Sequence, residues 1–396
     1  MKVLLLIETL SVGGAETFVI RLANALAQRH ELILAVMHGH RVEQQLVEQL
    51  DPRVQLRSLR LPAERWLWRA DRVLRSLKLD VATVRLLQER WLRRLVRREQ
   101  PDVLHSHLFK ADRLAARVRS EAAKLMRHVI TLHGDYAPYL RGQADPQMLD
   151  HERWIERVLI SADAVVGVAS EHVDEMSTLY PPLRGKLHLI YNGYSTPSKP
   201  AQSINLPAGK FLFGMVSRGV EQKGWALAVG AFAGLRRKDA ALVLVGEGPA
   251  IERLRRQRVP GVIFAGFSPR PTDWIDRFDV CLLPTLYPHE SLPTVIIEYL
   301  ASGKPVIASD VGEIGAMLRG RDGRMAGRLL TFSESGVSVQ ELQGLMASLM
   351  DDSVARTTMA GAAHDAFARF SMSKCAAAYE RLYRGDAVSS SISSTH

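Results

Sequence analysis

The sequence predicts an α/β protein of two doubly wound parallel sheets, each covered by helices on both faces. Three observations carry that prediction. Short β-rich apolar runs alternate without interruption with amphipathic helical stretches, the pattern of parallel strands joined by crossover helices. The chain has 396 residues, beyond the size at which one hydrophobic core stops growing, so two domains are expected. Between two series of such runs lies "NGYSTPSKPAQSINLPAG" (192–209), whose Pro, Ser and Gly content marks a linker.

The first series places strands at 3–7, 31–37, 54–59, 102–106, 127–132, 164–168 and 187–191. The opening "MKVLLLIETL" has one lysine and five apolar residues before Glu8. That is too short for a signal peptide and suits a buried first strand. The second series places strands at 210–216, 241–245, 261–264, 279–283, 304–308 and 327–330. From 338 onward the chain reads as helical, with "FARFSMSKCAAAYERLYRG" as a final helix. The expected domains are 1–195 and 205–370, with a helix over 371–385 crossing back to the first. The tail 386–396, "DAVSSSISSTH", has almost nothing to bury and is expected to be disordered. Ligands of such sheets bind at the carboxyl ends of the strands, which makes the cleft between the domains the expected site.

Composition is that of a soluble protein, 47% hydrophobic and 24% charged. Cys281 and Cys375 cannot form a disulfide framework, and neither has a neighbour at metal-ligand spacing. No stretch approaches the roughly 18 to 20 apolar residues of a membrane span. A cytoplasmic location is therefore expected, with any membrane contact peripheral. The net charge of +10 is uneven, because residues 51–100 hold 14 Arg and Lys against 6 Asp and Glu. Such a block suits an anionic membrane or nucleic acid. Along 81–99, Val84, Leu87, Trp91 and Leu95 are expected on one helical face, with Arg90, Arg93, Arg94 and Arg97 opposite. Upstream, "ERWLWRADRVLRSLK" adds Trp66 and Trp68. Tryptophan beside arginine suits an anionic headgroup layer, whereas no nucleic-acid motif accompanies the charge. A helix with a merely solvated basic face is the alternative.

After the first strand, "TLSVGGAETFVIRLANAL" opens a helix with Phe18, Val19, Leu22 and Leu26 at helical spacing. Gly13 and Gly14 let a ligand approach the backbone, and a helix N-terminus offers N–H groups to an anion. A plain strand-to-helix turn is the other reading. A dinucleotide fold would need G-x-G-x-x-G here and an acidic residue after the second strand. The chain has "GGAE" and then "AVMHGH", so that reading fails twice.

The segment "PHESLPTVIIEYLASGKPVIASD" (288–310) sets Glu290 at the mouth of a helix and Glu298 inside it, with Gly303 and Pro305 ending it. Glycosidase carboxylates stand about 5 to 5.5 Å apart in retaining enzymes and about 6.5 to 9.5 Å in inverting ones. Eight residues at helical rise span about 12 Å, which disfavours that chemistry. Two carboxylates so spaced suit the hydroxyls of two sugars of one ligand, with a helix mouth between them for a phosphate.

This segment resembles the signature of retaining GT-B glycosyltransferases of family four: a Glu, seven residues, a second Glu, then "ASGKPVIAS". The resemblance implies a GT-B fold of two Rossmann-like domains facing each other across a cleft, the first for the acceptor and the second for the nucleotide sugar. It implies Glu290 at the donor sugar and Glu298 on the ribose hydroxyls. Ser291, Leu292, Pro293 and Thr294 would form the loop against the donor, where Ser291-Leu292-Pro293 replaces the usual Gly-Phe-Gly. In "FGMVSRGVEQKGW", Arg218 and Lys223 match the family's Arg and Lys on the donor diphosphate, with Ser217 in place of a glycine. Two cations there stabilise a leaving diphosphate without a metal. Gly246 in "LVLVGEGP" and Gly266-Phe267 in "VIFAGF" match the nucleotide-lining turns. "PDVLHSHLFKAD" puts His105 and His107 on one face of a strand, and "VITLHGDY" puts His133 at the next strand end. His133 matches the family's histidine near the reacting centre. His107 reads equally as a substrate contact or as core, and His105 as a core histidine. A His-x-His pair could also hold metal, but no third ligand lies nearby and no D-x-D motif accompanies it.

The implied activity is transfer of a sugar, with retention, from a UDP- or GDP-linked donor to a hydroxyl of a glycan or lipid-linked acceptor. No cofactor, metal or nucleic acid is expected. A sugar-nucleotide epimerase on the same fold and an inactive nucleotide-binding subunit of a polysaccharide assembly complex are the competing functions.

Overall fold

The computed structural model describes residues 1–11, 13–61, 66–67, 83–120, 126–134, 136, 141, 149–196, 204–288, 290–333 and 336–386. Trp68, most of the stretch before the basic helix, and the tail from 387 lie outside the described residues. The chain forms two compact units, one of Met1–Gly193 with Met372–His396 and one of Tyr194–Ser371.

In the first unit the strands are β1 (Lys2–Ile7), β2 (Glu31–Val36), β3 (Val54–Ser58), β4 (Val103–His107), β5 (Arg127–Leu132), β6 (Ala164–Gly167) and β7 (Leu187–Leu189). They make a seven-stranded sheet in the order β3-β2-β1-β4-β5-β6-β7, parallel throughout. In the second unit β8 (Phe211–Val216), β9 (Ala240–Val245), β10 (Val262–Gly266), β11 (Val280–Leu283), β12 (Val306–Ser309) and β13 (Gly327–Leu330) follow the order β10-β9-β8-β11-β12-β13. Both orders reverse direction once, between β1 and β4 and between β8 and β11. Crossover loops leave in opposite directions at such a point, so the carboxyl ends of those strands are open to a ligand.

The core follows the strand period of two. Val3, Leu5 and Ile7 pack with Phe18, Leu22 and Leu26 of the helix Gly14–Leu26, whereas Leu4 and Leu6 pack with Leu92, Leu95 and Leu114 on the other face. Each such side chain contributes about 1.5 to 3 kcal/mol on burial, which fixes the register of β1 between its neighbours.

The expectation of a single final helix needs correction. "FARFSMSKCAAAYERLYRG" is not one helix: Ser353–Phe367 ends in a 3-10 turn Ala368–Phe370, and a new helix runs Met372–Arg384. That last helix packs in the first unit, where Cys375, Tyr379, Leu382 and Tyr383 join Phe18 and Leu22 in one cluster. Arg29 and His30 meet its Glu380 at 3.2 and 3.1 Å. A small antiparallel hairpin, β14 (Phe332–Ser333) with β15 (Gly336–Val337), precedes the helical stretch; strands of two residues carry no readable alternation.

In the helix Thr83–Glu99 the buried stripe is Val84, Gln88, Glu89, Leu92, Leu95 and Val96. Leu87 and Trp91 are only half-buried. The inward turn follows Glu89, whose carboxylate meets Arg117 at 2.6 Å and Arg93 at 3.4 Å. Arg93 therefore leans onto the protein, while Arg90, Arg94, Arg97 and Arg98 are exposed.

Candidate functional site

In the second unit the loops after β8, β9, β10 and β11 are pressed together by backbone contacts only glycine allows. Gly246 takes φ 141°, and a Cβ there would lie 1.9 Å from the Ser217 carbonyl oxygen. Its N–H donates to the Gly266 carbonyl at 2.8 Å. Gly224 takes φ 76°, and its Cβ would lie 1.8 Å from the Pro284 carbonyl oxygen. Gly266 needs its glycine for conformation instead, with φ 77° in open space. Phe267 beside it exposes 46% of its surface. Ser217, the departure from the family glycine, accepts the indole N–H of fully buried Trp225 at 2.7 Å, so the serine anchors the turn.

That turn carries both candidate cations. Arg218 is exposed at the end of β8. Lys223 ends the 3-10 turn Glu221–Lys223 and does not stand alone. Its Nζ lies 2.8 and 2.6 Å from the two carboxylate oxygens of Glu290. The pair is mostly buried, with side chains 17% and 11% exposed. β8 and β11 are neighbours at the reversal point, and residues 67 apart in sequence meet there.

Two residues that sequence reasoning missed hold this arrangement. The Thr285 hydroxyl lies 3.0 Å from both Glu290 Oε2 and the Gln222 carbonyl. Tyr299, fully buried on the helix Thr294–Ala301, accepts the Val216 N–H at 2.9 Å and donates to the Leu282 carbonyl at 3.2 Å. It ties that helix to the ends of β8 and β11. Glu298, one residue earlier, is buried at 8% exposure. Pro293 is the N-cap with φ −65° and Thr294 the first helical residue, one turn later than Ser291. Leu292 is buried, and the Ser291 carbonyl accepts the Glu313 N–H at 3.3 Å. Thr285 and Tyr299 left no sequence signal because they bond chiefly to backbone groups of other segments, Gln222, Val216 and Leu282.

In the first unit, Gly13 is the N-cap of its helix, but the helix mouth is met by the chain's own carboxylate. Glu16 is buried, and its Oε1 accepts the Thr9 hydroxyl at 3.0 Å and lies 3.4 Å from that of Ser11. A Cβ on Gly13 would lie 2.3 Å from Glu16 Oε2, while Gly14 has open space around it. A first-turn carboxylate is favourable at the positive end of the helix dipole. The Glu16 carboxylate thus stands beside Gly13, where the sequence led to the expectation of a ligand anion. The sequence did carry a signal, an acid three residues after a capping position.

His107 and His133 are brought together, Nδ1 to Nε2 at 3.0 Å, with Phe18 edge-on to both rings. Behind them His105 is satisfied on both nitrogens, by Tyr383 at 2.7 Å and Thr131 at 2.8 Å. Desolvation lowers His133 to about 4. Desolvation, then the neighbouring histidines, holds His105 and His107 well below the ordinary value. All three are neutral at pH 7, and the His107–His133 bond carries a single proton.

Two doubly wound units, with polar side chains gathered at the carboxyl ends of the strands flanking each reversal, define the GT-B class of α/β proteins. The first half, residues 12–197, matches the family model "Glycosyltransferase Family 4", and residues 210–349 match "Glycosyl transferases group 1". The chain belongs to the family 4, group 1 glycosyltransferases. It is 30% identical over 229 residues to TuaC of Bacillus subtilis (strain 168), named as a teichuronic acid biosynthesis glycosyltransferase; the match spans 55% of each chain, about half of that relative. It is 25% identical over 342 residues to the 2-deoxystreptamine N-acetyl-D-glucosaminyltransferase of Streptomyces fradiae, covering 76% of each. Among solved structures, Anabaena Alr3699/HepE in complex with UDP aligns over 97% of this chain and 100% of its own, with TM-score 0.72 and 18% identity.

Proposed function

We propose that the protein transfers a sugar from a nucleoside-diphosphate sugar to a hydroxyl of a glycan or lipid-linked acceptor, with retention and without a metal or cofactor. The observation that carries this reading is the Lys223–Glu290 pair at the β8/β11 reversal, a cation and a carboxylate poised for a diphosphate and a sugar. Lys223 and Arg218 neutralise the departing diphosphate. Glu298 takes the ribose hydroxyls, Glu290 the donor sugar, and Phe267 with Gly246 and Gly266 lines the nucleotide. His133, held by His107, meets the reacting sugar as a neutral imidazole. The bond from the anomeric carbon to the phosphate oxygen breaks as the acceptor oxygen bonds the same face. The acceptor proton passes to the departing phosphate.

UDP, bound by a protein of the same fold, is the first donor base to test, with GDP second. TuaC, the relative named for teichuronic acid biosynthesis, supports a glycan acceptor. Among the described residues no helix is long and apolar enough to cross a membrane. A lipid-linked acceptor would instead be met peripherally: Arg90, Arg94, Arg97 and Arg98 are exposed beside Leu86, which exposes 47% of its surface, a combination suited to anionic headgroups. The test is incubation with labelled UDP- and GDP-sugars, with and without membrane extract, in EDTA, followed by NMR of the product anomer. Acceptor-dependent transfer with retention is expected. Turnover without acceptor indicates an epimerase, no turnover an inactive subunit, and an inverted product or magnesium-restored activity refutes the mechanism.

A further inference from the structure

We infer that Thr285 is a positioning residue for the reaction proposed above, acting on Glu290 and on the Lys223 turn through one hydroxyl. The inference rests on the assignment of Glu290 to the donor sugar. Thr285 is fully buried, so no bulk water replaces its hydrogen bonds. Its main chain is clamped: the carbonyl accepts the Ser309 hydroxyl at 2.7 Å, and the preceding carbonyl presses on Gly224, where no side chain fits. The hydroxyl oxygen accepts the Tyr287 N–H at 3.2 Å. What remains variable is its single proton, which has two acceptors at 3.0 Å, Glu290 Oε2 and the Gln222 carbonyl. Given to Glu290, the proton joins the Lys223 ammonium on Oε2 and fixes the orientation of the carboxylate. Given to Gln222, it holds the turn that ends in Lys223 while Glu290 is engaged by the donor. A hydroxyl can serve both states because it rotates; an apolar side chain of the same shape serves neither. Thr285 itself touches no substrate.

The experiment is a double-mutant cycle of Thr285→Val and Glu290→Ala on the full chain, reading kcat, KM for the donor and the Kd of UDP and GDP. In the wild-type background Thr285→Val should lower kcat about 10- to 100-fold, each tenfold corresponding to about 1.4 kcal/mol, with the nucleotide Kd changed less than threefold. Thr285→Ser, which keeps the hydroxyl, should restore kcat to within threefold. With Glu290→Ala already present, Thr285→Val should cost less than threefold. If Thr285→Val unfolds the second unit, Thr285→Cys, a weak donor, takes its place and the same pattern is required. Wild-type kcat in Thr285→Val, no rescue by serine, or an equal loss in both backgrounds overturns the positioning role and leaves Glu290 untouched. If Glu290→Ala itself turns over normally, the assignment of Glu290 fails instead.

Discussion

Lys223→Met separates what the Lys223–Glu290 pair does for stability from what it does for turnover. The pair makes two charge-assisted hydrogen bonds, at 2.8 and 2.6 Å, with side chains 17% and 11% exposed. Among the described residues, removing the lysine leaves a mostly buried carboxylate with the Thr285 hydroxyl as its remaining partner. Breaking a fully buried pair costs about 3 to 5 kcal/mol. Residual solvent here lowers that to about 2 kcal/mol. For a unit of 150 to 250 residues each kcal/mol moves Tm about 2 to 4 °C, so the second unit should melt about 4 to 8 °C lower. Glu290→Met should cost a similar amount by stranding the ammonium. The double variant strands neither charge and fills the space with apolar atoms, so its Tm should return to within about 3 °C of wild type, by the same conversion. Its turnover should remain lost, because one of the two cations on the diphosphate and the carboxylate at the donor sugar are both gone. Differential scanning calorimetry on the four proteins, alongside transfer rates, measures both. A double variant as unstable as the sum of the singles would refute the argument that the cost lies in stranded charge.

Glu298→Ala should weaken UDP or GDP binding by about 1.5 to 3 kcal/mol, the value of hydrogen bonds to a charged group, while Glu290→Ala lowers turnover with the nucleotide still bound; calorimetric titration separates them, and equal affinity losses contradict the division of roles. The first unit should lose stability in acid: His133 is held at about 4 and His128 at about 3, below their unfolded values, so the unfolded chain binds more protons between those values and about 6.5. Stability therefore rises with pH across that window and is flat above it, with His133 alone contributing roughly 2.5 kcal/mol between pH 4.5 and 7.5; urea titrations at both pH values check the sign. Changing Arg90, Arg94, Arg97 and Arg98 to Gln should weaken co-sedimentation with anionic vesicles at low salt, at about 1 kcal/mol per residue, and leave nucleotide affinity unchanged. Wild-type protein that ignores such vesicles removes the membrane from the mechanism.

The sheets were legible because a parallel strand buried on both faces must be a short apolar run, and each such run from Lys2–Ile7 to Gly327–Leu330 became one. The basic helix was read about one position out of register. An apolar pattern treats Glu89 as surface, whereas three arginines around it make burial affordable in the structure. At the candidate site the charged residues could be picked out singly. That Lys223 and Glu290 meet depends on strand order, which no local pattern encodes. Glu16 could have been read as the occupant of its own helix mouth. Thr285 and Tyr299 could not, since a buried threonine and tyrosine look the same in sequence whether they fill space or hold a loop.

The helix Met372–Arg384 completes the hydrophobic cluster of a unit whose other residues end at Gly193. During synthesis this delays closure. The ribosome must add Tyr194–Ser371 before that helix exists, roughly ten to forty seconds at about 5 to 20 residues per second. For that interval the cluster of Phe18 and Leu22 on their helix with Val103 of the sheet lacks part of its cover and is a substrate for chaperones. A stop codon anywhere in the second unit would thus compromise the first as well, and release a product that aggregates through that cluster. Joining residue 193 to residue 372 by a short flexible segment should instead let the first unit close as soon as it leaves the exit tunnel.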